Sequence, residues 1–113
     1  MERLDELLSG IYSPTITEAS VLVREVRIRV GVLSKAVTIR ILYDGKEGEP
    51  YRFELSALMK TTSERRARDS TRRAVSEAEA LRRAVRMLTQ DYEDAVRAGQ
   101  LPDDSWLVDG DLF

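Results

Sequence analysis

The side chains able to do chemistry are few in kind. The sequence has no histidine and no cysteine. That removes imidazole acid–base catalysis, thiol nucleophiles, disulfides and Cys/His zinc sites together. What is left for proton transfer or nucleophilic attack is Asp, Glu, Lys, Tyr, Ser and Thr. Asp91/Asp94 and Asp103/Asp104 are paired carboxylates, yet twenty acids among 113 residues make such pairs unavoidable. No Gly-Xaa-Ser-Xaa-Gly, no Ser-Xaa-Xaa-Lys and no phosphate-cradling glycine loop occurs. Asp109-Gly110-Asp111 has a calcium-loop look, but the spaced acids and closing Glu of an EF-hand are missing. The chain therefore reads as a non-enzyme, with no cofactor and no metal site expected.

Charge is the stronger signal. The formal net charge is only −2, but it is segregated. Residues 1–23 carry one Arg against four acids, residues 24–86 sixteen Lys/Arg against nine acids, and residues 87–113 one Arg against seven acids. Arg27, Arg29, Arg40 and Arg52 fall on alternate positions of strand-like segments. With Arg65, Arg66, Arg68, Arg72 and Arg73 they form a candidate basic surface able to track a phosphate backbone. Two features oppose that use. There are seven aromatics, and strand positions facing inward claim Tyr43, Tyr51 and Phe53, leaving none on the Arg face to stack bases. Glu77 and Glu79 at a helix start would also repel phosphate. The bland alternative is a solvated face with cross-strand ion pairs.

The second unusual stretch is the end of the chain, where acids alternate with large apolar groups from Pro102 to Phe113. Trp106, Leu107, Leu112 and Phe113 are candidate partner-binding residues, or they complete the core. Burial favours docking of Trp106, Leu107 and Val108 with the acids facing water. Asp109, Asp111, Leu112 and Phe113 resemble the acidic tips of bacterial and phage single-stranded DNA-binding proteins, which are Asp-rich and end on Phe. The resemblance stops at those residues. The rest of the chain offers three or four strands where that family's oligonucleotide-binding barrel needs five, so the family is not assigned.

The elements that would position these groups are legible from periodicity. Leu4, Leu7 and Leu8 share a face of a short helix at 2–9, stopped by Gly10. Three alternating strands follow. Val26, Ile28, Val30 and Val32 face inward with Arg27 and Arg29 outward. Val37, Ile39, Ile41 and Tyr43 face inward in the second, and Tyr51, Phe53 and Leu55 in the third. A two-residue turn at Ser34-Lys35 would pair Val32 with Val37 and Val30 with Ile39, keeping every inward residue opposite an inward one. It would also set Arg29 against Arg40, a like-charge conflict. Pairing Tyr43 with Tyr51 would bring Glu54 to Arg40. Val21-Leu22-Val23 extends the first strand or adds a fourth. Residues 56–75 read as a basic loop. Ser76-Glu77-Ala78-Glu79 is a capping box opening a long helix near 77–98. Leu81, Ala84, Val85, Leu88, Tyr92, Ala95 and Val96 form its apolar stripe, with Gly99, Leu101 and Pro102 at its stop.

The expected fold is a single α+β domain over residues 1–113. It has an antiparallel three- to four-stranded meander, one long C-terminal helix on one face, a short N-terminal helix and an acidic-aromatic tail at 102–113. The expected function is a small non-catalytic protein-interaction module, adaptor or inhibitor in type, that self-associates as a homodimer. The alternative is a sequence-tolerant nucleic-acid binder using the Arg face and loop, with the acidic tail competing. No run approaches the roughly 20 apolar residues of a membrane span, and the charged N-terminus has no secretory core. A cytoplasmic protein without a membrane partner is expected.

Overall fold

The structure, a computed structural model, describes residues 3–11, 13–61 and 72–110. Helix α1 (Leu4–Gly10) leads into strands β1 (Val21–Arg29), β2 (Ala36–Tyr43), β3 (Tyr51–Leu55), β4 (Ala57–Met59) and β5 (Arg73–Ala74). Helix α2 (Glu77–Arg97), a 3-10 turn (Asp104–Trp106) and strand β6 (Leu107–Asp109) complete the chain. Four strands make an antiparallel sheet in the order β1-β2-β3-β5, and β4 pairs with β6 in a separate two-stranded ribbon. With α2 packed on the sheet, the fold is α+β. Among the described residues no helix is long and apolar enough to cross a membrane.

Alternation made these strands and sets their faces. Val37, Ile39, Ile41, Phe53 and Leu55 are fully buried under α2, while Arg40, Arg52 and Glu54 stand on the opposite face. Tyr43 pairs with Tyr51 and Arg40 with Glu54, as the alternation predicts. The β1–β2 register differs from expectation. Val37 pairs with Ile28 and Ile39 with Val26, so β1 slides by four residues and residues 30–35 form a loop in place of a two-residue turn. An even shift keeps each side chain on its face, which is why the inward set survives except Val32, which is 77% exposed. The loop is held by its own contacts. Val30 and Leu33 bury, Gly31 takes φ +53°, and Val32 N–H donates to Tyr92 Oη at 3.2 Å. A Cβ at Gly31 would sit 2.0 Å from that hydroxyl, so only glycine fits beneath the ring. The shift also removes the Arg29–Arg40 conflict: Arg29 lies opposite Ala36, and Arg40 lies between Glu25 and Glu54.

Helix α2 begins as its sequence requires. Ser76 Oγ accepts from Glu79 N–H at 3.1 Å. Its end is a Schellman motif: Gly99 has φ +89°, Gly99 N–H bonds Val96 C=O and Gln100 N–H bonds Ala95 C=O. Leu101 was expected to pack there, but it is 86% exposed because Gln100 occupies the position after the glycine. The buried line is Ala80, Ala84, Leu88 and Ala95, rotated from the expected stripe so that Val96 faces solvent. Alanines on that line let the helix backbone lie close to β2 and β3, where a wider stripe of large residues would hold it off. The expected loop at 56–75 contains β4 and β5. The chain bends at Ser56, whose hydroxyl accepts from Thr38 N–H while its carbonyl accepts from Gly110 N–H. One continuous segment thereby leaves the main sheet as β3 and joins β6 as β4.

Candidate interaction surface

The outer face of the sheet, away from α2, is built of cross-strand rows. One row is Glu25–Arg40–Glu54, with Arg40 Nε donating to Glu25 Oε1 at 2.7 Å. The next is Arg27–Thr38–Ser56, and a third is Leu22–Leu42–Arg52–Arg73. Arg52 is 2.9 Å from Glu54 and 3.9 Å from Asp44. Arg73 binds Asp44 with both terminal nitrogens, at 3.1 and 2.7 Å, and Nη1 also donates to Glu49 C=O. Asp44 further accepts from Lys46 N–H. The hydrogen bond from Arg73 is the main cause that holds the Asp44 carboxyl below its usual range, against a smaller opposing effect of burial.

Of the six expected basic-surface arginines among the described residues, four are engaged within the fold. Arg40, Arg52 and Arg73 are held by carboxylates on the outer face. Arg72 lies elsewhere: its guanidinium is 5.6 Å from the Phe53 ring centroid and donates to Met87 Sδ. Arg27 and Arg29 are exposed and have no ion pair among the described residues. Arg65, Arg66 and Arg68 lie outside the described residues, as do Leu112 and Phe113 of the tail. Trp106 is 3% exposed, edge-on to Tyr92 at 5.7 Å between centroids, and Leu107 is buried beside it. In the described part of the tail, Trp106 and Leu107 take the docked arrangement, and these two side chains belong to the core rather than to a free surface. Val108 stays partly exposed.

The carboxylate pairs have local duties. Asp103 accepts from Ser105 N–H, and that bond holds its carboxyl low. Asp104 takes both the hydroxyl and the amide of Ser34, which lowers it likewise. Asp94 pairs with Arg97. Among the described residues no group of three His, Cys, Asp or Glu could hold a metal ion. An open cleft of about 680 Å³ lies between α1 and the sheet, walled by Leu4, Leu22, Tyr43, Tyr51 and the Arg24–Glu77 pair. The Glu77 carboxylate among those walls is held by Arg24 at 2.8 Å.

The feature that sequence reasoning did not single out is the free edge of β1. Thr38 turns its N–H and C=O toward Ser56 on the β3 side. Backbone groups alternate along a strand, so Val37, Ile39 and Ile41 bond β1 through Ile28, Val26 and Arg24. Glu25, Arg27 and Arg29 therefore turn their N–H and C=O groups outward, where no described residue pairs with them. Strand order decides which strand lies at an edge, and no local pattern carries that information. The chain matches no protein-family model, and no curated protein or solved structure proved similar to it.

Proposed function

We propose that the protein is a non-catalytic interaction module, adaptor or inhibitor in type, that binds another polypeptide by adding a strand to β1. The carrying observation is the edge itself, nine residues long with three consecutive pairs of outward backbone groups. An unpaired edge is a template for another chain, with main-chain hydrogen bonds giving affinity and alternate side chains giving selectivity. The other edge offers little. It is the two-residue β5, whose Arg73 is already clamped to Asp44. The nucleic-acid reading has weaker support, since Arg40, Arg52 and Arg73 would have to abandon carboxylates to reach phosphate. Outward positions on β1, β2 and β3 also carry no aromatic for base stacking. The compartment this proposal assumes is the cytoplasm.

The test is site-specific photocrosslinking in the producing cell. A benzophenone side chain replaces Arg27, with the exposed Arg97 as the control position. Discrete protein adducts from position 27 alone support the module. Equal labelling from both positions, or adducts with nucleic acid, defeat it.

A further inference from the structure

We infer that the polypeptide added to β1 is a second copy of this chain, paired antiparallel about a two-fold axis at Val26. The inference rests on the strand-addition reading and names its partner. Its ground is the charge pattern of the free edge. Along the regular stretch of that edge, after the irregularity between Leu22 and Arg24, Glu25, Arg27 and Arg29 offer the backbone groups, so a symmetric antiparallel pair there joins these residues to one another. Five centres satisfy that rule. A centre at Glu25 opposes two glutamates, a centre at Arg27 or at Arg29 opposes two arginines, and a centre at Ile28 opposes Arg27 to Arg29 twice. A centre at Val26 opposes Glu25 of each copy to Arg27 of the other and leaves Arg29 facing Val23. It is the one register of the five with two opposite-charge pairs and no like pair.

The neighbourhood supports the same pairing. Arg27 is exposed, lies opposite Thr38 within its own sheet and has no ion pair among the described residues. Glu25 is already bonded to Arg40 and would sit between two arginines, as Glu54 does between Arg40 and Arg52. On the helix side, α2 packs chiefly over β2, β3, β4 and β5. That leaves Val26 and Ile28 only partly covered at the rim of the core. A second copy would set Val26 against Val26 across the axis and extend the sheet to eight strands with both long helices on one side. Edge charges usually deter indiscriminate pairing. Here their order along the strand selects one partner and one register. The irregularity between Leu22 and Arg24 ends the regular edge just before the paired segment.

Sedimentation equilibrium decides it. The wild type should show twice the 12.8 kDa chain mass. Arg27→Glu sets glutamate against glutamate at two symmetric sites and should raise the dimer dissociation constant at least about tenfold. Mixing Arg27→Glu with Glu25→Arg should restore association as mixed dimers, because each opposed pair is again of opposite charge. Arg27→Pro is the backbone control. It removes an N–H that points away from β2, so the sheet can persist while dimerisation is lost. A wild type that stays monomeric into the millimolar range overturns the inference, and so does an unchanged constant for Arg27→Glu, as a centre at Arg27 would give. A monomeric wild type whose position-27 adduct contains a different protein defeats self-pairing alone and leaves the interaction module standing.

Discussion

At the scale of single residues, the sequence groups the arginines as one population, and the fold divides them. Alternation placed Arg40 and Arg52 on the outer face correctly and brought Glu54 to Arg40. It could not show that Arg73 reaches back 29 positions to Asp44, because the side-chain partner comes from a strand that joins the sheet later. That pair closes the β2–β3 hairpin and ties the last sheet strand to it. Both side chains are about three-quarters or more buried, so the interaction escapes much of the screening that weakens surface pairs. Its pH dependence has a defined sign. The Asp44 carboxyl lies lower in the folded state than its unfolded value of about 3.9. Its contribution is therefore complete above that value and disappears as pH falls through the folded one. Asp44→Asn should lower stability at neutral pH by about 1–3 kcal/mol. The gap between variant and wild type should narrow below about pH 4. Urea denaturation at pH 7 and pH 3 measures both, and an equal gap at the two values would remove Asp44 ionisation as the cause.

At the scale of elements, legibility followed the length of the repeating pattern. The 21 residues of α2 repeat their apolar period several times and carry signals at both ends, and the observed bounds fall within a residue of expectation. The β2–β3 hairpin was equally clear. The β1–β2 register was not, since periodicity fixes faces but tolerates any even shift. The choice fell to Tyr92 and Asp104, which hold residues 30–35 from distant parts of the chain. Strands β4 and β6 are three residues each, too short for any period, and they exist because they pair with one another. Gly110 closes the end of that ribbon, its N–H bonded to Ser56 C=O. A Cβ there would lie 2.1 Å from Leu55 C=O and 2.8 Å from Ala57 N. Gly110→Ala must push β6 outward, at a cost of about 1–3 kcal/mol typical of overpacking. Trp106 is the sole tryptophan and reports on it directly. Emission should be blue-shifted and resistant to iodide in the wild type, and red-shifted with faster quenching in the variant. A variant spectrum identical to wild type would mean that the backbone at Ser56 yields without disturbing the docked strand.

At the scale of the whole molecule, the two acidic ends of the charge pattern have unlike roles. Sequence composition alone treats both as tails flanking a basic middle. The C-terminal one is built into the core: Trp106 and Leu107 are buried, Lys60 N–H bonds Trp106 C=O, and Asp104 anchors the loop after β1 through Ser34. The N-terminal helix buries no residue, and Leu7 and Ile11 remain largely exposed. A seven-residue helix has little stability of its own, so its position depends on the cleft beside Tyr43 and Tyr51. Strand order explains the difference, because β4 needs β6 to satisfy its backbone, whereas no strand needs α1. Truncation should therefore be asymmetric. Removing residues 1–11 should move the unfolding free energy by no more than about 0.5 kcal/mol, as surface changes do. Removing residues 102–113 strips Trp106 from the core and should cost at least the roughly 3–5 kcal/mol of a buried aromatic truncation. It also leaves the β4 backbone unpaired. Thermal and urea midpoints of the two truncated chains give the comparison. A large loss from the N-terminal truncation would show that α1 is a working part of the core, and equal losses would end the distinction between the two ends.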